Sequence, residues 1–146
     1  MDIIEIAAIL IIGFVGSAEF GSAALVHPVI RRLETEDQLT LEKGLLKTFG
    51  RVMPIGMTMA TALGIIVAIN APSAWLVFAA ISLSIALIVT IIGNVPINLR
   101  TGRITEETAP KGFIAMRRRW DVFQVVRASL QLLGFILAAI GIVGGA

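Results

Sequence analysis

Residues 74–97 read AWLVFAAISLSIALIVTIIGNVPI, and this run of twenty-four residues contains no charged side chain. A helix needs about 20 mostly apolar residues to cross the hydrocarbon core of a bilayer. Three further stretches, residues 3–26, 52–70 and 120–143, are also long and apolar enough. The sequence therefore predicts an all-α integral membrane protein that folds as a four-helix bundle.

The basic residues indicate which ends of these spans share one side of the membrane. Eleven of the twelve Lys and Arg residues lie within residues 31–51 and 100–119, on either side of the second and third spans. Short loops that are rich in Lys and Arg stay in the cytoplasm, whereas the tight connection at residues 70–73 has no basic residue. Both termini are therefore predicted to lie on the non-cytoplasmic side of the cell membrane.

Composition argues against several other classes of protein. Of the 146 residues, 57% are hydrophobic, so four spans use most of the chain and residues 1–146 are expected to form one transmembrane domain. The net charge is only +2, and the basic residues follow the membrane edge, where anionic lipid is a better partner than nucleic acid. The chain has no Cys, which excludes disulfides, thiolate catalysis and Cys-ligated metal centres.

Small residues at four-residue spacing predict the contact faces of the spans, because they let helix backbones approach in lipid. The predicted contact positions are Gly13, Ser17, Gly21, Gly56, Ala60, Gly64, Ala68, Gly134, Ala138 and Gly141. A mixed stripe on the third span is predicted to face inward and consists of Ser82, Ala86, Thr90, Asn94 and Asn98. More small residues are present than the helix contacts of one small bundle need, so a homo-oligomer is also expected.

The segment between the first two spans is predicted to be helical rather than a loose loop. Thr35 followed by Gln38 is typical of a capping box. Leu41, Leu45 and Phe49 then recur at helical spacing. We expect an amphipathic helix that lies at the membrane interface or extends the second span. Residues 99–111, with Thr-Gly and Ala-Pro pairs, instead predict a polar loop.

Two ionisable side chains fall deep inside the predicted spans. Glu19 lies seven residues before Val26 and Arg127 lies seven residues after Trp120, so both are about 10 Å from the cytoplasmic edge. Either charge left alone at that depth would be costly or would be neutralised. The sequence therefore predicts an ion pair between Glu19 and Arg127, which serves either a reaction or only the packing of the helices.

Further polar side chains are expected around this pair, in a cavity that opens toward the cytoplasm. The reactive candidates are Glu19, His27 and Arg127, and the candidate substrate-binding residues are Arg51, Thr90, Asn94, Asn98, Trp120 and Gln124. The alternative is a role without a ligand: Trp120 anchors the helix at the membrane interface, and His27 and Arg51 also lie at that interface.

Proton abstraction is the chemistry that such a cavity supports most readily. Glu19 or His27 can act as the base, while Arg127 and two Asn side chains stabilise an enolate or phenolate. One His and one intramembrane carboxylate are too few for a two-His-one-carboxylate iron site, so no metal is expected.

Two segments carry a family resemblance that extends over most of the chain. Asn94-Val95-Pro96-Ile97-Asn98, followed by WDVFQVVR at residues 120–127, resembles the signature of the anthrone-oxygenase-like four-span membrane family. His27-Pro28 and the segment RVMP at residues 51–54 are similar to its other landmarks. The resemblance implies a four-span bundle and, in some members, oxygenation of anthrones to anthraquinones without a conventional redox cofactor.

The chain departs from this family pattern at one position. Members often carry an Asn-His pair just before the Arg, where this sequence has Gln124 and Val125. If that His is the base, then Glu19 or His27 has to replace it, or the activity differs. Two functions therefore remain open: an oxidoreductase for a lipophilic aromatic substrate, and a non-enzymatic membrane protein that binds or carries a small hydrophobic molecule or serves as an accessory subunit.

Overall fold

The computed structural model describes residues 1–105 and 107–145, and all regular structure in these ranges is helical. The five helices are α1 Ile3–Ile30, α2 Thr35–Lys47, α3 Phe49–Asn70, α4 Ala74–Gly102 and α5 Phe113–Gly144. Of these, α1, α3, α4 and α5 are long and apolar enough to cross a membrane. The predicted all-α, four-span architecture is confirmed, and the side on which the termini lie stays a prediction.

Helices α1, α3, α4 and α5 form an antiparallel bundle that is divided into an apolar half and a polar half. Helix α5 packs between α1 and α4, and α3 closes the opposite side. The apolar core lies toward the termini and includes Ala8, Ile12, Met57, Ala60, Leu76, Leu83, Ala138 and Ile142. Most of the buried polar side chains lie toward the other end of the bundle, and they include Glu19, His27, Asn94, Gln124 and Arg127.

Glycines allow the spans to approach closely in the apolar half. A Cβ atom at Gly134 or at Gly64 would lie within 2.8 Å of the Leu83 side chain, as expected for contact positions. The prediction was wrong for Ser17, which is exposed, and for Gly21, whose Cβ would have no neighbour within 4 Å. A strict four-residue step drifts about 40° around a helix at each repeat. The contact face of α1 therefore runs through Val15, Gly16 and Glu19 instead.

Substituting Gly16 with leucine is expected to force α1 and α5 apart. A Cβ atom at Gly16 would lie 3.0 Å from the backbone oxygen of Gln131, which cannot rotate away as a side chain would. We expect a loss of about 1–3 kcal/mol, seen as a lower unfolding midpoint in detergent. Gly21→Leu is the matched control. Equal midpoints for the two variants would contradict the close helix approach.

Two widened turns interrupt α1 and α4 beside the polar half of the bundle. Residues Ser22–Val26 and Thr90–Asn94 adopt π-helical geometry. Each turn precedes a proline, Pro28 in α1 and Pro96 in α4. A proline ring clashes with the carbonyl four residues earlier, and that carbonyl lies in the widened turn in both helices. The turns therefore let each helix continue past its proline.

Helix α4 and helix α2 differ in detail from the sequence-based expectations. Helix α4 extends to Gly102, so the predicted loop begins later than residue 99.

Helix α2 is confirmed, but the predicted capping box is wrong, because no side chain caps the start of this helix. Gln38 instead donates from Nε2 to the carbonyl of Leu33 at 2.9 Å, and Leu33 lies in the connection between α1 and α2. The face that α2 buries carries Gln38, Leu39 and Glu42, whereas Leu41 is exposed.

Candidate functional site

A cavity of about 690 Å³ lies in the polar half of the bundle, and all five helices contribute to its wall. This volume is within the range of cavities that hold small organic ligands. Its apolar wall consists mainly of Leu45, Leu46, Phe49, Met53, Pro54, Val95 and Leu99. Its polar wall includes Ser22, His27, Glu42, Thr90, Asn98, Trp120 and Arg127. The structure therefore brings His27, Thr90, Asn98, Trp120 and Arg127 together from the predicted set.

Glu19 lies directly behind the polar wall and pairs with Arg127. Arg127 Nη2 is 2.9 Å from Glu19 Oε2, which confirms the predicted ion pair. Gln124 Nε2 donates to the same carboxylate oxygen at 2.8 Å. Glu19 is fully buried and does not line the cavity, whereas Arg127 does. The carboxylate is thus placed to hold the guanidinium and not to touch a molecule in the cavity.

The polar residues of α4 divide between the cavity and the packing of the helices. Thr90 lines the cavity, and its hydroxyl donates to the Ala86 carbonyl at 2.8 Å. Asn94 does not reach the cavity, and its Nδ2 donates to the Trp120 carbonyl at 3.4 Å. Asn98, one turn further on, lines the cavity. Asn94 therefore joins α4 to α5 behind the wall that Asn98 and Trp120 present.

Arg51 is not brought to the cavity, in contrast to its predicted role. It is exposed and lines a separate apolar groove between α1 and α3, together with Phe14 and Ile55. The neighbouring cavity residues on α3 are Gly50 and Met53. Successive residues turn about 100° around a helix, so Arg51 points away from the wall that its neighbours form.

Trp120 lies at the centre of the polar wall and contacts three other polar side chains. Its ring centroid is 4.5 Å from that of His27. The Arg117 Cζ atom lies 4.4 Å from the ring centroid and the Arg127 Cζ atom lies 5.8 Å from it. Such distances are typical of cation–π contacts. Trp120 therefore separates the Glu19–Arg127 pair from a second group of charges.

This second group was not predicted from the sequence, and it joins α2 to the ends of α1 and α5. Arg31 Nε donates to Asp121 Oδ2 at 2.7 Å, and Arg31 Nη2 lies 2.8 Å from Glu42 Oε1. The other Glu42 oxygen accepts a hydrogen bond from Arg117 Nη2. Glu42 is 2% exposed and Arg117 is 1% exposed. Glu42, Gln38 and Leu39 share the buried face of α2, and no signal in the sequence distinguishes this face from a solvated one.

The electrostatics keep Arg31 charged in this group. Burial lowers the pKa of the Arg31 guanidinium, but the hydrogen bonds and charges of Asp121 and Glu42 raise it by more. The net result is a pKa above the ordinary value of an arginine. Arg31 therefore acts as a permanent positive clamp on the two carboxylates.

Several buried polar atoms around the cavity have no protein partner. They include His27 Nδ1, Asn98 Oδ1, Trp120 Nε1 and Arg127 Nε. A buried polar atom without a partner costs about 1–3 kcal/mol, and each of these atoms belongs to a residue that lines the cavity. Within residues 1–105 and 107–145, no three His, Cys, Asp or Glu side chains form a metal-binding group.

Comparison with known protein families gives a match over most of the chain. Residues 44–137, which are more than half of the chain, match the family model described as anthrone oxygenase. The matched segment contains Asn94, Asn98, Trp120 and Arg127, and it begins after Glu42 and after the whole of α1. No curated protein and no solved structure matches the chain.

Proposed function

Because this membrane protein belongs to the anthrone oxygenase family, we propose that it oxygenates a flat, lipophilic, anthrone-like substrate inside the cavity. One observation carries this proposal: the cavity combines an apolar wall from α2, α3 and α4 with a polar wall of His27, Trp120 and Arg127. Such a cavity suits a molecule with fused apolar rings and one polar edge.

The two walls favour one orientation of the substrate. Apolar rings gain from contact with Leu45, Phe49 and Met53, because these side chains replace water around the rings. The ketone oxygen of the substrate then meets the unpaired Nε of Arg127 or the Trp120 Nε1. Lipophilic substrate concentrates in the bilayer, and we infer that it reaches the cavity from the membrane or the cytoplasmic face.

The reaction begins with removal of a proton from the methylene carbon that lies opposite the ketone of an anthrone. His27 takes this proton, and the resulting enolate oxygen is stabilised by Arg127. Dioxygen then bonds to the carbanion carbon and is reduced to a hydroperoxide, which receives the proton from His27. Loss of the second C–H proton together with hydroxide leaves a new carbonyl. Each turnover therefore consumes one O₂ and releases one water and one quinone.

Of the two bases that the sequence left open, the geometry favours His27. His27 lines the cavity, whereas Glu19 is fully buried behind it and is bonded to Arg127 and Gln124. We infer that Glu19 positions the Arg127 guanidinium. A charged hydrogen bond fixes the guanidinium before the enolate forms, so no reorganisation is needed at that moment.

The remaining predictions belong to the same proposal. We propose that the protein lies in the cell membrane with the cavity in the cytoplasmic half, because the Lys and Arg residues cluster beside that half. Self-association also stays a proposal, and the outward-facing Ser17 and Gly21 are the small residues that would serve it.

Filling the cavity is expected to slow the reaction without damage to the fold. Gly50 lines the cavity, and a Cβ atom there would meet the Leu46 side chain only at 3.4 Å. We expect Gly50→Phe to lower kcat/KM for anthrone by about tenfold or more, because the ring occupies the volume that the substrate needs. The measurement is anthraquinone formation and O₂ uptake by the protein in lipid nanodiscs.

The matched control is Gly44→Phe, since Gly44 is exposed on α2 and a Cβ atom there would have no neighbour within 4 Å. Equal turnover by the two variants would place the reaction outside this cavity. Tight binding of anthrone with no quinone formed would support the alternative function, a protein that binds or carries a hydrophobic molecule.

A further inference from the structure

Glu42 lines the cavity, yet the proposed reaction gives it no role. It is 2% exposed and reaches from α2, which is outside the four spans, to the ends of α1 and α5. Arg31 Nη2 lies 2.8 Å from its Oε1, and Arg117 Nη2 donates to its Oε2. Two arginine side chains thus hold this carboxylate in one place, which is more than the attachment of one amphipathic helix requires.

His27 presents one ring nitrogen to this carboxylate. His27 Nδ1 is buried, has no hydrogen-bond partner and lies 3.7 Å from Glu42 Oε1. The ring is held by its contact with Trp120, and His27 also lines the cavity. Because Nδ1 faces Glu42, the other nitrogen, Nε2, points away from this carboxylate. A small rotation of the ring that shortens the distance to about 3 Å makes a full hydrogen bond.

We propose that Glu42 is a positioning residue for His27. Its carboxylate accepts a hydrogen bond from Nδ1–H, which fixes the tautomer whose Nε2 carries the lone pair and faces the cavity. The hydrogen bond at one imidazole nitrogen determines which nitrogen is free to act. The role of Nε2 as the base rests on the proposed function, whereas the tautomer is a property of the protein without substrate.

Helix α2 therefore completes the site in this proposal. A carboxylate oxygen can accept more than one hydrogen bond, so Glu42 Oε1 can serve Arg31 and His27 together. The carboxylate reaches His27 only while α2 is docked on Arg31 and Arg117. Leu45 and Leu46 of the same helix form part of the apolar wall. Docking of α2 thus supplies both the closure of the cavity and the partner of His27.

The test uses the fact that His27 is the only histidine in the chain. The protein is labelled with ¹⁵N-histidine, carries an affinity tag without histidine and is studied in nanodiscs at neutral pH without substrate. We expect the NMR signal of Nδ1 to be that of a protonated nitrogen and the signal of Nε2 to be that of an unprotonated one, with this tautomer favoured by about tenfold or more. The opposite tautomer, or an even mixture, would overturn the proposal.

Removing the carboxylate is expected to release this preference. In Glu42→Met, which keeps a long unbranched side chain, we expect the tautomer ratio to fall from about tenfold toward one. The double variant Glu42→Met with Arg117→Met removes both charges and is expected to fold if the single variant does not. Glu36→Met, an exposed position on the same helix, is the matched control. A folded variant without the carboxylate that keeps the wild-type ratio would refute the proposal.

Failure of this inference and failure of the proposed function give different results. If the Nδ1–H tautomer is found but no anthrone is oxidised, Glu42 still positions His27 and only the oxygenase assignment fails. If anthrone is oxidised while the opposite tautomer is present, the oxygenase assignment stands and the role of Glu42 is wrong.

Discussion

Replacing Glu19 with leucine is expected to cost about 3–5 kcal/mol of stability, because one partner of a buried ion pair is left without compensation. Glu19 is fully buried, and its Oε2 is the hydrogen-bond acceptor for both Arg127 and Gln124. The leucine leaves the Arg127 guanidinium charged in the interior of the bundle with no carboxylate near it. The change is measured from the unfolding midpoint in detergent or bicelles.

Two further variants separate the ion pair from the size of the new side chain. Ser17→Leu adds the same side chain at an exposed position two residues earlier and is expected to be almost neutral. The double variant Glu19→Leu with Arg127→Leu removes both charges and is expected to recover most of the lost stability. A double variant as unstable as the single one would mean that the pair is not the cause of the loss.

The second large effect is expected from Arg127→Lys, which keeps the charge but loses the planar group with several donors. Arg127 lines the cavity and uses Nη2 for Glu19, while its Nε has no protein partner. One ammonium group on a shorter side chain is expected not to reach Glu19 and the substrate oxygen together. We expect kcat/KM for anthrone to fall by about 10²–10³, as when one oxyanion-stabilising donor is removed.

This activity loss is expected to occur with an almost unchanged unfolding midpoint, since the charge that balances Glu19 remains. Most of the loss should be in kcat, because the enolate charge develops only during the reaction. Arg118→Lys, an exposed position on the same helix, is the control. Wild-type turnover by Arg127→Lys would remove Arg127 from the proposed mechanism and leave the ion pair with a structural role only.

The four spans and the Glu19–Arg127 pair could be predicted because each follows from one simple physical rule. Long apolar runs determine where a helix can cross a bilayer. A charge inside such a run needs a partner, and Glu19 and Arg127 were the deep charges at equal depth. Both inferences use only the position of residues along a helix, so they do not depend on which faces meet.

The second charged group could not be predicted for a different reason. Arg31, Glu42 and Arg117 lie outside the predicted spans, where charged side chains are normally solvated. Their burial depends on how α2 docks against the ends of α1 and α5, and this is set by tertiary contacts. The prediction that Arg51 lines the cavity was wrong for another reason. Arg51 lies at the predicted level along α3, but its side chain points to the opposite side of that helix.

The two widened turns fix the number of residues that α1 and α4 need between their buried side chains. Each turn accommodates one more residue than the same length of α-helix would, and each is followed by a proline. Loss of one residue between Glu19 and His27 would turn the end of α1 by about 100° relative to its start. The histidine would then leave the tryptophan, and Arg31 would leave both carboxylates. We therefore expect insertions and deletions to be tolerated in the loops and at the termini, and expect these two helix segments to tolerate only side-chain exchanges at constant spacing.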